Sequence, residues 1–148
     1  MKIYIMCGLP GSGKSTYVNK FLNGIRIVSR DIYREKFGFA KHGEKKVCKP
    51  SQEKLITIAV DKQILNFSAS EEDFVIDDTN SQKYRDSLIQ FLRFCNPNAE
   101  IIGINMMTPI DVCIERRKNQ IPESAMKSIG RKFKFINENE VDRLITIQ

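Results

Sequence analysis

A glycine-rich run near the start of the chain has the composition and spacing of a loop that binds phosphate groups. Residues 8–15 read G-L-P-G-S-G-K-S, which fits the pattern G-x-x-x-x-G-K-S at every position. Glycine lets main-chain N–H groups turn inward around phosphate oxygens, in conformations that a side chain would forbid. Lys14 can reach the β- and γ-phosphates of a nucleotide, and the Ser15 hydroxyl can bind magnesium. The run therefore predicts an ATP and Mg²⁺ site made of Gly8, Pro10, Gly11, Ser12, Gly13, Lys14, Ser15 and Thr16.

A second group of candidate residues, S-R-D-I-Y-R, follows the predicted second strand. On a helix, Asp31 and Arg34 are three residues apart and share a face, so a carboxylate and a guanidinium could both point into the phosphate cleft. Such a pair suits a kinase, which needs a group that deprotonates the acceptor hydroxyl and cations that neutralise the transferring phosphoryl group. The same residues could instead be a first-turn acid and its surface ion-pair partner.

A third group, Asp78-Thr79-Asn80, follows the predicted third strand in the equivalent position. It offers a carboxylate, a hydroxyl and an amide at the mouth of the cleft, and we predict that these groups contact the acceptor. Turn formation or capping of the following helix would account for the same residues equally well. The neighbouring Asp77 could belong to the end of the strand.

Strands that alternate with helices would bring these three groups to one edge of a sheet. Short apolar runs rich in β-formers predict five strands, and caps, prolines and apolar periodicity predict the helices between them. Continuous apolar runs are typical of strands buried on both faces, so we expect an α/β domain around a parallel sheet with helices on both faces. The predicted strands span residues 3–7, 25–28, 74–76, 101–107 and 144–147.

The predicted helices begin and end at recognisable signals. They span residues 14–22, a short segment capped by Ser29, a segment that starts at Pro50, residues 81–94, a segment from Thr108-Pro109 to Arg117, and residues 122–136. The apolar positions of the third helix are Leu55, Ile58, Ala59 and Leu65. The stripe of the fourth is Tyr84, Leu88, Phe91, Leu92 and Cys95.

Composition favours a single domain over residues 1–148 with an anionic partner. Lysine and arginine total 24 against 18 acidic residues, which gives a net charge of +6. Part of this excess is a lysine-rich stretch that could equally be a solvated loop. The four cysteines lack C-x-x-C spacing and His42 is the only histidine, so we predict reduced thiols in the cytoplasm and no zinc site. No 18-residue apolar run is present, so we expect no membrane association. The lysines of the stretch are Lys41, Lys45, Lys46 and Lys49.

Taken together, these motifs resemble the 5′-kinase domain of bacteriophage polynucleotide kinase-phosphatase, which belongs to the P-loop kinases. The resemblance lies in G-L-P-G-S-G-K-S-T, in R-D-x-Y-R after the second strand, in the lysine-rich loop and in D-T-N after the third strand, and it covers roughly residues 1–136. It implies the P-loop kinase fold with a short lid at about residues 115–122. It also implies transfer of the γ-phosphoryl group of ATP to the 5′-hydroxyl end of DNA or RNA.

The resemblance assigns a role to each matching residue. Asp31 would be the general base on the 5′-hydroxyl, and Arg34 would bind the phosphate on the 3′ side of the end nucleotide. Asp78 and Thr79 would help hold the acceptor. The pair Ile121-Pro122 would pack against the terminal base, although Pro122 could also simply start a helix.

The lid departs from the family pattern. The family places an arginine on the donor phosphates four residues after an earlier arginine, and counting four from Arg116 reaches Gln120. Arg116 or Arg117 would then take this role, and both could instead be solvated residues at a helix end.

Two other functions remain open. A P-loop kinase could phosphorylate a small molecule such as a nucleoside, a sugar nucleotide in the manner of zeta toxins, or an antibiotic. A nucleotide-dependent binding module would phosphorylate nothing. A switch GTPase is disfavoured because the chain lacks N-K-x-D. The predicted partners are nucleic acid 5′-ends as substrate, and a separate phosphatase or ligase would suit nucleic acid repair.

Overall fold

Five parallel strands form one sheet at the centre of the protein. The structure is a computed structural model that describes residues 1–40 and 48–148, so the predictions for Lys41, His42, Lys45 and Lys46 lie outside the described residues. The elements in chain order are β1 (Lys2–Cys7), α1 (Lys14–Phe21), β2 (Arg26–Val28), α2 (Arg30–Lys36), α3 (Pro50–Ala69), β3 (Phe74–Ile76), α4 (Gln82–Cys95), β4 (Glu100–Met106), α5 (Ile110–Arg117), α6 (Glu123–Lys132), a 3-10 helix (Glu138–Glu140) and β5 (Arg143–Ile147).

The strand order β2-β3-β1-β4-β5 places β1 at the centre of the sheet. Successive side chains of a strand point to opposite faces, and β1 is apolar on both. Ile3 and Ile5 pack with α3 and α4 on one face, whereas Met6 packs with Val18 of α1 on the other. A third apolar cluster joins α5 and α6. The predicted α/β architecture, with helices on both faces of a parallel sheet, is therefore confirmed.

The register of the strands brings their carboxyl ends to one edge. Ile5 of β1 pairs with Ile76 of β3, and Cys7 of β1 pairs with Asn105 of β4. The segments that follow β1, β3 and β4 consequently leave the sheet side by side. This edge carries the residues that the motifs single out.

α3 buries a different face from the one predicted, whereas α4 buries most of its predicted stripe against the sheet. α3 buries Ile56, Val60 and Ile64, whereas Leu55 and Ile58 are exposed. Apolar residues surround much of this helix, so periodicity could not decide which stripe faces the sheet. The exposed predicted positions of α3 also include Leu65, while Leu92 of the stripe predicted for α4 is buried and Tyr84 is exposed.

The buried face of α4 also contains an arginine, which the predicted stripe omits. Arg85 is 0% exposed, and its guanidinium donates to the Glu140 carboxylate at 2.9 Å. It also donates to the carbonyls of Asn80 and Lys134, each at 2.9 Å. Arginine is rarely fully buried unless it is paired, so a hydrophobicity pattern assigns it to solvent.

α6 ends earlier than predicted, at Lys132 rather than near Ile136. Phe133 is already extended, with φ −75° and ψ 131°. The main-chain N–H and C=O of Ile136 bond to the side chain of Asn105, both at 3.0 Å.

Within the described part of the chain, no helix is both long and apolar enough to cross a membrane.

We predict that the Arg85→Met substitution lowers the free energy of unfolding by about 3 kcal/mol. It would leave the Glu140 carboxylate and several buried carbonyls without their donor. Urea unfolding checks the value. The matched control on the same helix is Arg93→Met, since Arg93 pairs with Asp142 in an exposed ion pair at 3.4 Å and should contribute less than about 1 kcal/mol. Equal losses in the two variants would contradict this role for Arg85.

Candidate active site

The phosphate loop, residues 8–15, connects central strand β1 to α1. Gly11 and Gly13 have φ of +81° and +94°, in the left-handed region that favours glycine. A Cβ at Gly8 would lie 2.6 Å from the Ser12 hydroxyl and 3.0 Å from the Met106 main chain. The loop therefore needs glycine at these positions, as its sequence predicts. It ends at the N-terminus of α1, where free N–H groups favour an anion.

Lys14 lies across this loop. Its ammonium donates to the carbonyls of Gly8 and Leu9, each at 2.9 Å. Burial lowers the pKa of Lys14, while the charge of Asp77 opposes that shift and the charge of Arg117 adds to it. The ammonium is thus held at the loop by neutral partners, which a phosphate group can replace. Of the other predicted loop residues, Pro10 is buried and Thr16 is exposed on the first turn of α1.

Side chains and main chain from the neighbouring strands hold the loop in place. The Gly8 N–H donates to the Thr79 carbonyl at 3.3 Å, and the Thr108 hydroxyl donates to the Ser12 carbonyl at 2.7 Å. The helix predicted from Thr108-Pro109 begins at Ile110, and Thr108 does not cap it. Its hydroxyl is instead used by the phosphate loop, because β4 ends beside β1.

Asp77, which follows β3 directly, contacts Ser15, the predicted magnesium ligand. The Ser15 hydroxyl donates to Asp77 Oδ2 at 2.9 Å, and Asp77 Oδ1 is buried with no hydrogen-bond partner among the described residues. Burial raises the pKa of Asp77, although the bond from Ser15 and the charge of Lys14 oppose it. The signal for Asp77 was its place directly after the buried strand β3, next to β1.

The Ser15 and Asp77 pair fits a magnesium ion. Both groups are oxygen ligands of the kind that Mg²⁺ takes, and the unpartnered Asp77 Oδ1 is free to accept a metal or its water. Mg²⁺ keeps several waters, so it does not need a dedicated protein cage. Consistent with this, the described residues hold no cluster of three or more His, Cys, Asp or Glu that could bind a metal by themselves.

Asp78 caps α2 from the neighbouring strand. Its Oδ1 accepts the Arg30 N–H at 2.9 Å, whereas Ser29, the predicted cap, occupies the N-cap position without a side-chain bond. Burial raises the pKa of Asp78 to about 7, and the charges of Asp31 and Asp77 add to the effect. The bond from Arg30 to Asp78 fastens α2 to the end of β3.

α2 carries the predicted acid and arginine as a pair. Arg34 donates to Asp31 Oδ1 at 2.6 Å, and the Asp31 side chain is 69% exposed. Arg34 also forms a fork on Glu53 of α3, with its Nε at 3.1 Å and a terminal nitrogen at 3.0 Å from Oε1. Arg30 donates to the other Glu53 oxygen at 2.7 Å. Glu53 was not predicted, because nothing in the sequence marks a partner 19 residues from Arg34.

Asn80 holds the loop after β3. It has φ +52°, and its buried amide donates to the Met6 carbonyl at 2.6 Å and to the Asp78 carbonyl at 3.2 Å. This geometry favours a scaffold role for Asn80 over the predicted contact with the acceptor. Thr79 stays half-buried beside the phosphate loop.

The predicted base-packing pair lies mostly inside the protein. Ile121 is 8% exposed and packs with Leu9, Cys113 and Met126 between α5 and α6. Pro122 precedes the first residue of α6, and its carbonyl accepts the Met126 N–H at 3.0 Å. Ile121 therefore offers little surface to a terminal base, and Pro122 acts as a helix start.

Both candidate lid arginines reach the phosphate loop. Arg116 donates to the Gly11 carbonyl at 3.0 Å. The Arg117 side chain passes Gly11 so closely that its Cγ would lie 3.0 Å from an added Cβ. Arg117 donates to the Gln120 side chain at 2.6 Å, and its charge helps to lower the pKa of Lys14. Gln120 thus orients Arg117.

The comparison with family models agrees with this architecture. A model described as AAA domain matches residues 3–134. No curated protein matches the chain in sequence.

Solved structures share the fold. A chain of the Pnkp1/Rnl/Hen1 complex is 25% identical over 78% of this chain, with a TM-score of 0.67. A chain of the Pnkp1/Rnl/Hen1 RNA repair complex is 24% identical over 90%, with a TM-score of 0.72. The present chain spans only 38% and 46% of these two chains. A putative kinase from Chloroflexus aurantiacus is 15% identical over 99% of this chain and 86% of its own length, with a TM-score of 0.75. The fold is accordingly that of P-loop kinases.

The raised pKa of Asp78 predicts a pH dependence of stability. The folded protein holds this proton more tightly than the unfolded chain, whose pKa is near 3.8. The contribution of Asp78 to stability should therefore fall as the pH rises from about 4 to about 7. A full shift corresponds to at most about 4 kcal/mol, and because Asp78 keeps some exposure we expect about 2 kcal/mol.

Urea unfolding of the native chain and of Asp78→Asn between pH 4 and pH 8 measures this effect. The asparagine oxygen can still cap α2 but does not titrate. The free energy of unfolding of the variant should therefore rise relative to that of the native chain as the pH rises. Asp86→Asn, at an exposed position on α4, serves as the control and should show a constant difference. A constant difference for Asp78→Asn as well would refute the assignment.

Proposed function

Because this chain belongs to the AAA domain family, we propose that its phosphate loop binds ATP and that it is a polynucleotide 5′-hydroxyl kinase. One observation carries the proposal. Asp31 and Arg34 lie about one turn apart on α2. The Arg30 N–H at the start of that helix donates to Asp78 Oδ1 at 2.9 Å, and the adjacent Asp77 accepts a hydrogen bond from Ser15 of the phosphate loop. This attachment supports a role for the Asp31 carboxylate and the Arg34 guanidinium beside the phosphate loop.

In the proposed reaction, the 5′-hydroxyl oxygen of the acceptor attacks the γ-phosphorus of ATP. Asp31 accepts the hydroxyl proton as the new P–O bond forms, and the bond from the γ-phosphorus to the β,γ-bridging oxygen breaks, which releases ADP. The exposure of Asp31 leaves its second carboxylate oxygen accessible while the first pairs with Arg34. Arg34 thus orients the base in the free protein.

The proposed acceptor contact is the phosphate on the 3′ side of the end nucleotide, bound by Arg34. Arginine suits this role because its fork matches two phosphate oxygens. Although burial raises the pKa of Glu53, hydrogen bonds from Arg30 and Arg34 hold it below the ordinary value, so Glu53 stays charged and aligns Arg34. Asp78 fixes the same helix from the other side, and Thr79 lies next to it.

Lys14 and the lid arginines supply the positive charge at the donor. When phosphates enter the loop, the Lys14 ammonium exchanges its two carbonyl partners for phosphate oxygens. Arg117 is our choice for the lid residue, because its charge already reaches Lys14 and Gln120 orients it. Arg116 would hold the loop through the Gly11 carbonyl.

Ser15 and Asp77 are the residues that would hold Mg²⁺. The ion would neutralise phosphate charge during transfer. The bond that the Ser15 hydroxyl donates to Asp77 Oδ2 keeps both groups aimed at the same point.

Likeness to the Pnkp1 chains supports a nucleic acid acceptor. Those structures are of an RNA repair complex, and the 25% identity to one of them over most of this chain makes a nucleic acid 5′-end a reasonable substrate here. Since those chains are parts of a complex, the same likeness supports a separate protein partner in nucleic acid repair. The net charge of +6 is in the direction that a polyanionic substrate requires.

Incubation with γ-labelled ATP, a 5′-hydroxyl oligonucleotide and a set of nucleosides and sugars tests the acceptor. We expect label on the oligonucleotide and a loss of at least about 100-fold in kcat for Asp31→Ala, because the general base is removed. Asp86→Ala is the matched control at an exposed acid. Label only on a small molecule would replace this proposal with a small-molecule kinase, and no label on any acceptor would leave a nucleotide-binding module.

The lid assignment has its own test. Arg117→Ala should lower kcat by about 100-fold, since an arginine on the transferring phosphoryl group contributes this much or more. Adding Gln120→Arg to that variant should restore much of the activity, because it places an arginine where the polynucleotide 5′-kinase domain carries its lid arginine. Lys118→Ala, which removes an exposed ion pair with Glu115 at 2.7 Å, is the control. A larger loss for Arg116→Ala than for Arg117→Ala would reverse the assignment.

A further inference from the structure

An exposed apolar groove lies between the end of α2 and the outer face of α3. Its volume is about 460 Å³, and the described residues leave it open. It contains the apolar residues that α3 does not bury against the sheet. Its lining is Phe37, Phe39, Leu55, Ile58 and Ala59.

Aromatic rings lead into this groove from the acceptor side. The ring centroids of Tyr33 and Phe37 are 5.7 Å apart, and those of Phe37 and Phe39 are also 5.7 Å apart. Phe37 is 44% exposed, which is unusual for a phenylalanine in contact with two other rings. An open ring of this kind offers a face on which another planar group can stack.

The groove and the site proposed for the acceptor phosphate are built on the same two helices, α2 and α3. Arg34 lies on α2 between Tyr33 and Phe37, and its carbonyl accepts the N–H of Phe39 at 2.8 Å. Glu53, which orients the Arg34 guanidinium, is two residues before Leu55 on α3. A strand whose first phosphate contacts Arg34 therefore meets the groove with its next nucleotides.

The charges around the groove suit a polyanion. Three exposed lysines lie on the two helices that line it, one on α2 and two on α3. Together with Arg30 and Arg34 they make five basic residues on these helices against four acids, Asp31, Glu35, Glu53 and Asp61, so a small positive charge is in excess. Proteins that bind single strands combine basic side chains for the backbone with aromatic faces for the bases. The three lysines are Lys36, Lys54 and Lys62.

We propose that this groove binds the nucleobases that follow the phosphorylated end, by stacking one of them on Phe37. The inference rests on the proposed function and adds the substrate's form: a single strand of several nucleotides. Bases held in a duplex cannot reach the groove, so unpaired 5′-ends are the favoured substrates. A nucleoside 3′-phosphate would fill the Arg34 site alone.

The ratio of kcat/KM for a tetranucleotide to kcat/KM for a nucleoside 3′-phosphate measures the contribution of the groove. We expect Phe37→Ala to lower this ratio about 10-fold, as removal of one base-stacking ring does. Phe37→Leu keeps an apolar side chain without the ring and should lower it almost as much. Phe94→Ala removes a ring that is 83% exposed on α4 and should leave the ratio unchanged.

An acceptor with a single abasic nucleotide separates stacking from other effects. Moved along the second, third and fourth positions, the abasic site should lower kcat/KM about 10-fold at one of them in the native enzyme. At that position it should cause almost no further loss in Phe37→Ala, since the ring and the base contribute through the same contact. Additive losses at every position would overturn the proposal.

Other outcomes distinguish this inference from the function on which it rests. If no acceptor is labelled by the native enzyme, the proposed function fails and the inference falls with it. If both acceptors are labelled but the ratio is the same in Phe37→Ala, only the inference fails. If Ile58→Glu converts a dimer into a monomer in sedimentation while the ratio is unchanged, the groove is a protein contact and the proposal is wrong.

Discussion

The parallel pairing of β1 between β3 and β4 is the constraint on which the site depends. Because these strands end in register, the phosphate loop, the acids after β3 and Thr108 after β4 must leave the sheet at the same edge. Bonds from Gly8 to Thr79 and from Thr108 to Ser12 then join the three segments. No one segment could hold this arrangement alone, since each supplies the partner that another lacks.

Ionisable groups at the site already have hydrogen-bond partners within the protein. Lys14 is held by two carbonyls, and Arg34 is shared between Asp31 and Glu53. The pKa of Asp78 is raised to about 7, mainly by burial, because its partner is only a main-chain N–H. Groups that are already desolvated and aimed need little reorganisation when a phosphate replaces a carbonyl. The free protein therefore prepares the charge distribution that phosphoryl transfer requires.

Local features of the sequence were sufficient to predict the elements, but partners distant in the chain were not predictable. Strands such as β3 are short apolar runs, and the phosphate loop is a local pattern, so both were found. The bonds of Ser15 to Asp77 and of Arg85 to Glu140 join residues 62 and 55 positions apart. No local rule marks such pairs. For the same reason Glu53 and the buried Arg85 were missed.

The error on α3 has a physical meaning of its own. Leu55 and Ile58 were expected to face the core because apolar side chains usually gain from burial, yet the sheet is already covered by Ile56, Val60 and Ile64. A helix with two apolar faces can bury only one of them against its own sheet. The second apolar face of α3 stays exposed, so burying it against a bound molecule would be favourable. This exposed apolar face lies near Arg34, the residue proposed to bind the acceptor phosphate.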